Sequence, residues 1–307
     1  MTAAPHASPA IARPFTVAIP HSEIAGLNQG LARTRWPDPE TVPDWSQGVR
    51  LANAQALIGY WAHEYNWHRF EAQINSFPQF LTTIDGLDVH FILVRSKNPN
   101  AMPLILTHGW PGSSAHFLRL IGPLTDPEAF GGQADDSFDV VVPTLPAFGF
   151  SLALYTGDLG GSNHLQGTKP QTVGYALADS LAGQAAWIYD KYQSKTDNNG
   201  LAEDALSPDD MLDVISLYWL TNRAGSSARI YWDNKSVSWA GPELALPVAV
   251  TVFPRDIPRL PRSWVEDKYS NLIHYGEAPK GGHFAALEQP EILVSELRTG
   301  LRLLRSA

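Results

Sequence analysis

The feature that most constrains this chain is a short interval between two segments that suggest a catalytic site. The run ILTHGWPGS at 105–113 is apolar and then breaks into a glycine-rich turn. The block GGHFAALEQP at 281–290 places a glycine-flanked histidine before a helix. Only nineteen residues lie between Ser151 and Gln171, whereas one strand–helix–strand unit takes about 30 or more. Another unit of that kind therefore does not fit into this interval.

The composition limits the classes of function. The chain has 307 residues, 44% of them apolar, which suffices for one large domain or two average ones. A formal net charge of −9 argues against a nucleic-acid surface and against binding to an anionic membrane. The chain contains no cysteine, so disulfides and cysteine-based redox or metal chemistry are excluded. No apolar stretch approaches the ~18 residues of a membrane span.

Residues 14–151 are expected to form a helical segment followed by an α/β pattern. Apolar and aromatic residues in 51–77 recur as they do on an amphipathic helix. Asp85-Gly86 lies between two β-type runs and predicts a hairpin, because such a turn needs positive φ. The elements expected from there are strands at 80–84 and 87–94, an all-apolar buried strand at 103–107, a helix at 113–124 and a buried strand at 138–142. This order is typical of an α/β fold.

The chain changes character after Ser151. Residues 152–170 are rich in Gly, Ser and Asn and have no period. The sequence SPDD at 207–210 predicts a helix start, with serine as N-cap, proline in the first turn and acids at the positive end of the helix dipole. The elements expected in this part are helices at 171–192, 207–221, 226–232 and 290–304, and strands at 247–253 and 271–275.

His283 is the first candidate for catalysis. The glycines before it allow a tight turn that brings the imidazole into a cleft. Asp256 is its candidate partner, since it follows a buried strand, where α/β sheets place functional loops. A carboxylate there can hold the imidazole tautomer and stabilise its charged form. The alternatives are a histidine that caps a helix and a solvated aspartate paired with Arg255 or Arg259.

Two further residues are candidates with a weaker signal. A backbone N–H in the turn around Trp110 can donate into an oxyanion hole, and the Trp110-Pro111 bond is a candidate for the cis form. Tyr231, in the predicted helix at 226–232, carries a phenol that can donate a proton to a leaving oxygen. The alternatives are a turn without a catalytic task and a tyrosine that only packs.

These residues lie in stretches that resemble the microsomal-type epoxide hydrolases, including their N-terminal extension. The resemblance covers about 14–305, and the block at 281–290 is its most specific part. The other matching stretches are RTRWP at 33–37, FPQF at 77–80, the strand and turn at 104–113, LPAFGFS at 145–151, TKPQT at 168–172 and LYWLT at 217–221.

The resemblance implies an α/β-hydrolase-like sheet, an N-terminal helical extension and a helical cap over an apolar pocket. It implies that His283 activates water, that Asp256 orients it (the family often has Glu there), that Tyr231 is one of two tyrosines polarising the epoxide, and that the Trp110 backbone is an oxyanion donor. The implied segments are a disordered leader at 1–13, the extension at 14–79, the first part of the core at 80–151, the cap at 152–240 and the second part of the core at 241–307.

The sequence departs from the family at the nucleophile. The family attacks the epoxide with an aspartate in a Gly-Gly-Asp-Trp-Gly elbow, forming an ester that His-activated water hydrolyses. No such elbow follows LPAFGFS here, which indicates an internal deletion around it. The same loss is expected to remove two central strands. The strand at 247–253 then either pairs directly with 103–107, or the sheet stays split.

Three possibilities remain for the nucleophile. Asp158 has the sequence pattern of an elbow, but GGSN at 160–163 is a poor start for the helix that an elbow must feed. The resemblance also aligns 155–166 better with the stretch that leads into the family's cap. Ser151 also has the sequence pattern of an elbow, although the resemblance puts it in a loop. The third possibility is that none exists. Ser162 occupies the place where the family usually has its second tyrosine.

The function expected from the resemblance is hydrolysis of hydrophobic epoxides to diols, which is an ether-bond hydrolysis. This activity requires that the chain can act without the nucleophile elbow. The alternatives are a catalytically inactive homologue that binds hydrophobic ligands and an incomplete gene product. Carboxylate, imidazole, phenol and water suffice for this chemistry, so no cofactor is implied, and no cluster has metal-site spacing. The leader lacks a signal-peptide core, which favours a cytoplasmic protein. The sequence does not specify the oligomeric state.

Overall fold

A computed structural model describes residues 12–84, 87–144, 161–234, 245–257 and 259–305. The described residues form two compact units. The first unit takes in those up to Ala18, from His68 to His108, and from Ser113 to the end of the strand at 138–143. The second takes in Ile19 to Trp67, Gly109 to Gly112 and the described residues from Gly161 onward.

The first unit contains a mixed five-stranded sheet. Its strands are β1 (Arg13–Phe15), β2 (Gln79–Ile84), β3 (Leu87–Val94), β4 (Met102–Ile105) and β5 (Phe138–Pro143), in the spatial order β1-β2-β3-β5-β4. β2 and β3 are antiparallel with Ile84 opposite Leu87, which confirms the predicted hairpin, although the turn at 85–86 lies outside the described residues. β4 and β5 are parallel. Arg13, expected in the leader, begins β1.

β4 is less buried than its sequence predicts. Its side chains alternate between partly buried and exposed, and Ile105 is 64% exposed. The all-apolar composition predicted a buried strand, and that expectation was wrong. The physical reason is its place at the margin of the sheet, where β5 is its one neighbour among the described strands.

The core of the first unit forms around β5. Alternate residues of this strand, Phe138, Val140 and Val142, are buried, as a strand with one covered face requires. The helix α4 (Leu118–Thr125) packs against β5 and buries Leu120 and Leu124. A short 3₁₀ turn, Ser114–Phe117, precedes α4, so the helix predicted at 113–124 is present in two pieces.

The helices of the second unit confirm most of the predicted helical segments. They are α1 (His21–Ala32), α2 (Leu51–His63), α5 (Gly161–Thr168), α6 (Pro170–Asp179), α7 (Leu181–Lys195), α8 (Pro208–Leu220), α9 (Ala224–Asp233), α10 (Arg262–Lys268), α11 (Ala285–Glu288) and α12 (Pro290–Arg302). The helix α3 (Trp67–Asn75) begins at the boundary between the units. α8 begins with the predicted N-cap, since Ser207 Oγ accepts from Asp210 N and Asp210 reaches back to Ser207 N.

Two helix predictions were wrong. The helix expected at 171–192 is divided at Ser180, whose backbone is extended and whose Oγ accepts from Gly183 N, so that it caps α7. α5 occupies part of the stretch expected to lack a period. It buries one face, including Ser162 and Gln166, and packs against α9. Tertiary packing therefore outweighs the low helix propensity of its glycine and serine.

The second unit also contains a two-stranded parallel sheet, formed by β6 (Val248–Val252) and β7 (Leu272–Glu277). The helix α12 packs on both strands. Glu296 of α12 accepts from Thr251 Oγ1 at 2.9 Å and lies 3.0 Å from His274 Nε2. Of the two outcomes expected for the shortened sheet, the described strands correspond to a split one, with one sheet in each unit.

Candidate active site

His283 and Asp256 form a hydrogen-bonded pair. Nδ1 of His283 lies 2.7 Å from Oδ1 of Asp256. The two side chains are 23% and 36% exposed, so the pair is reachable from solvent without being fully hydrated. With the carboxylate on Nδ1, the proton of a neutral imidazole is held there and Nε2 is left as the basic nitrogen.

The segment after β6 positions the carboxylate. Asp256 N donates to Phe253 O at 3.1 Å, which closes a turn directly beyond the strand. Ile257 N donates to Asp256 Oδ1 at 2.7 Å. This oxygen thus receives a backbone N–H as well as the imidazole, and the turn fixes its direction toward His283.

The turn that carries His283 requires its glycines. Gly281 has φ of +112°, a region that residues with a Cβ rarely adopt. A Cβ on Gly282 would lie 2.5 Å from the carbonyl oxygen of Lys195. His283 N donates to the same oxygen at 2.9 Å, so the turn runs in close contact with the end of α7. Glycines are therefore needed at 281 and 282, because Gly281 has a positive φ and the backbone at Gly282 lies against the carbonyl of Lys195.

Two carboxylates near this turn were missed by the sequence analysis. Glu288 accepts from Gly282 N and Phe284 N, each at 3.0 Å. Asp197 accepts from Gly281 N at 2.8 Å. Burial raises the pKa of the Glu288 carboxyl, and three backbone hydrogen bonds oppose that effect. Glu288 lies inside the block at 281–290, and its position four residues after Phe284 could have indicated this contact. Nothing in the sequence indicates the contact of Asp197.

Lys195 is a further buried group near the pair. The residue as a whole is 5% exposed. Burial lowers the pKa of its ammonium to about 8, which the negative charge of Asp256 partly opposes. Sequence patterns do not reveal such a lysine, because its burial depends on how α7 packs.

Trp110 and Tyr231 form a second pair. Their rings meet edge to face, with centroids 6.0 Å apart and planes at 81°. The Trp110-Pro111 bond is cis, which confirms the sequence expectation. Tyr218 OH donates to Gly112 O at 3.0 Å and holds the turn from α8. Tyr231 is buried on α9.

The contacts of the described residues thus join the four predicted residues in two pairs, both within the second unit. Ser162, expected in the place of a second tyrosine, is buried near the start of α5. Asp158 and Ser151, the two candidate nucleophiles, lie outside the described residues. One of the two expectations against Asp158, that 160–163 is a poor helix start, is wrong, since α5 begins at Gly161. The other, the likeness of 155–166 to the stretch that leads into the family's cap, stays a prediction.

The arrangement has the parts of an acid–base site. A histidine oriented by a carboxylate can take a proton from water, and a buried phenol can deliver one to an oxygen that becomes negative. In the part of the chain that the structure covers, no group of three or more His, Asp or Glu could hold a metal ion. Nor is any described helix long and apolar enough to cross a membrane.

The fold and the histidine–carboxylate pair define a protein of the α/β-hydrolase class, which solved structures support. The crystal structure of juvenile hormone epoxide hydrolase from the silkworm Bombyx mori matches with a TM-score of 0.85 and 25% identity, over 97% of this chain and 95% of that one. The structure of Aspergillus niger epoxide hydrolase matches with a TM-score of 0.83 and 23% identity, over 95% and 96% of the two chains.

Sequence relatives show the family. A protein of Stigmatella aurantiaca (strain DW4/3-1) from the epoxide hydrolase family is 45% identical, over 95% of this chain and 85% of that relative. Epoxide hydrolase 1 of Oryctolagus cuniculus is 28% identical, over 93% and 87% of the two chains. The family model described as Epoxide hydrolase N terminus matches residues 12–117. The chain belongs to the epoxide hydrolase family.

Proposed function

We propose that this protein hydrolyses hydrophobic epoxides to diols. The observation that carries the proposal is the 2.7 Å contact between His283 Nδ1 and Asp256 Oδ1 in a chain of the epoxide hydrolase family. A histidine base held in this way can take a proton from water. The ten Trp, ten Tyr and twelve Phe of the chain favour an apolar substrate.

The ring opening has a proton balance that these residues can supply. Tyr231 gives its phenolic proton to the epoxide oxygen as the C–O bond of the ring breaks. His283 takes a proton from water, and Asp256 stabilises the imidazolium that forms. Return of that proton to the phenolate restores both groups. Where an ester intermediate forms, the Trp110 backbone N–H is the proposed donor to the oxyanion that appears when deprotonated water attacks the ester carbonyl.

Two routes form the new carbon–oxygen bond. In the first, the Asp158 carboxylate attacks the epoxide carbon, and water deprotonated by His283 then attacks the ester carbonyl and releases the diol. In the second, the deprotonated water attacks the epoxide carbon directly, and no ester forms. The family resemblance favours the first route, while the absence of a Gly-Gly-Asp-Trp-Gly elbow favours the second.

We infer in addition that this chain lacks an internal segment that its relatives have. The alignment with the Stigmatella relative extends over 375 positions, 68 more than the 307 residues of the whole chain, so at least that many positions have no residue here. The position of β4 at a sheet margin, with Ile105 64% exposed, supports a loss of strands that would otherwise cover it. Sequencing of the transcript across codons 145–175 tests whether the gap belongs to the natural gene product.

The test of function is incubation of the purified protein with an aromatic epoxide, followed by detection of the diol. We expect turnover that His283→Gln abolishes. A single turnover in H₂¹⁸O separates the routes, because the ester route puts an unlabelled carboxylate oxygen into the first diol, whereas direct attack puts ¹⁸O there. Asp158→Asn stops the ester route and leaves direct attack unaffected.

Absence of diol with any epoxide would contradict the proposed function. Thermal stabilisation by an epoxide without diol would then support the inactive, ligand-binding alternative. The cytoplasmic location also stays a proposal, which fractionation of the source cells tests.

A further inference from the structure

Every backbone N–H of the turn at 281–284 has an oxygen acceptor. Three of these acceptors are carboxylate oxygens and one is a carbonyl, and all lie outside the turn. The donor–acceptor pairs are Gly281 N to Asp197 Oδ2 at 2.8 Å, Gly282 N to Glu288 Oε2 at 3.0 Å, His283 N to Lys195 O at 2.9 Å and Phe284 N to Glu288 Oε1 at 3.0 Å. Four consecutive amides fixed in this way leave the turn little freedom.

Glu288 holds the turn on both sides of the histidine. Its two oxygens accept from the residues directly before and after His283, and Oε2 also accepts from Asp197 N at 2.7 Å. An ionised carboxylate is the side chain suited to this task, since both of its oxygens are acceptors. A glutamine in the same place would offer one acceptor, and its NH₂ group would face a backbone N–H.

Asp197 connects the turn to the segment that carries the orienting acid. One of its oxygens accepts from Gly281 N at 2.8 Å, and the other lies 3.4 Å from Nε of Arg255, the neighbour of Asp256. The backbones of the two segments also meet directly, since Arg255 N donates to Gly281 O at 3.0 Å. Asp197 lies just after the end of α7. This one residue therefore contacts both the turn that carries His283 and the neighbour of Asp256.

We propose that Glu288 and Asp197 are positioning residues for His283, a role that rests on the proposed function of His283 as the base. Their oxygens bind backbone N–H groups and act through the turn. The turn sets the direction of the imidazole and with it the contact to Asp256. A displacement of about 1 Å in such a group can lower a catalytic rate about 10²-fold.

The test compares Glu288→Gln with Glu291→Gln, a matched control at an exposed position of α12. Hydrogen exchange at the amides of Gly282 and Phe284 is expected to become at least about tenfold faster in E288Q. Proton NMR at low temperature should show the Nδ1–H of His283 at low field in the unaltered protein and in E291Q, and weakened or absent in E288Q. His283→Gln assigns that signal.

Unchanged amide exchange together with an unchanged low-field signal in E288Q would overturn the proposal. If E288Q does not fold, Asp197→Ala provides the measurement, because the Asp197 carboxylate is partly exposed and its removal leaves no buried charge. In D197A, exchange at Gly281 is expected to accelerate and the His283 signal to shift; an unchanged spectrum there would equally refute the role.

These measurements need no turnover, so they separate the two proposals. A protein that makes no diol but loses the His283 signal in E288Q would retain the positioning role and lose the proposed function. In a protein that makes diol, E288Q should lower kcat about 10²-fold with little change in KM, and E291Q should change neither.

Discussion

The imidazole of His283 and the carboxylate of Asp256 meet at 2.7 Å although they are 27 positions apart along the chain. The contact is formed by two turns, one beyond β6 and one before α11, whose backbones are joined by the hydrogen bond from Arg255 N to Gly281 O. The pair is therefore a property of how two chain segments are aligned. Changes at several positions should disturb it in distinguishable ways.

Asp256→Asn should lower the rate of diol formation about 10²–10⁴-fold, because a neutral amide neither stabilises the imidazolium nor holds the productive tautomer. The measurement is diol formation from an aromatic epoxide under substrate saturation. Asp267→Asn, at an exposed position of α10, is the control and should keep the full rate. An active D256N protein would show that Asp256 does not orient the base.

Tyr231→Phe should lower kcat about 10²-fold, since it removes the proposed proton donor. The edge-to-face contact with Trp110 is retained by phenylalanine, so the ring packing should be kept. Tyr175→Phe, at a residue that is 71% exposed, serves as the matched control. Equal rates for both variants would assign Tyr231 to packing alone.

Gly282→Ala should destabilise the protein by about 1–3 kcal/mol, because the added methyl group meets a backbone oxygen that cannot move aside as a flexible side chain would. Gly26→Ala in α1 meets nothing within 4 Å and should instead stabilise by about 0.5–1 kcal/mol. Urea unfolding of the two variants measures both values. A G282A protein as stable as the parent would contradict the close approach to Lys195.

Lys195→Met should stabilise the protein at pH 7 by about 1–3 kcal/mol, because the buried ammonium then no longer has to be desolvated. The folded pKa of this lysine, about 8, is lower than its ordinary 10.5. Between these pH values the unfolded chain binds more protons, so stability from this group rises with pH. K195M should lose that rise.

The measurement for Lys195 is the free energy of unfolding at pH 7 and at pH 10. Lys169→Met, at an exposed position before α6, is the control for the other lysines that titrate in this range. If K195M kept the same pH dependence as K169M, the lysine would not be buried as the structure has it.

The parts that the sequence predicts well are those fixed by local chemistry. The hairpin at 80–94 and the N-cap at Ser207 each depend on residues within a few positions of one another. The pairing of His283 with Asp256 also followed from the sequence, because loops beyond the strands of α/β sheets gather functional groups. The expectation that the strand before Asp256 is buried was wrong, since β6 is partly buried and exposed along its length.

The parts that the sequence did not predict depend on distant contacts. α5 is helical because one of its faces is covered by α9. Ile105 is exposed because β4, in the part of the chain that the structure covers, lies at the sheet margin beside β5. Asp197 lies 84 residues before the amide that it accepts from. The residue pattern of a single sequence does not indicate which residues that are distant along the chain come into contact.

Two of the acceptors of the His283 turn, Asp197 and Glu288, are 91 positions apart along the chain and are themselves joined by a hydrogen bond. A large loop must close before the bonds to Asp197 and to Lys195 O form, and its entropy must be overcome first, whereas the bonds from Gly282 N and Phe284 N to Glu288 are local. We therefore expect the histidine to reach its final geometry late in folding, after α7 and the C-terminal helices have docked. In rising denaturant the same turn should open early, and enzymatic activity should disappear before the helices unfold.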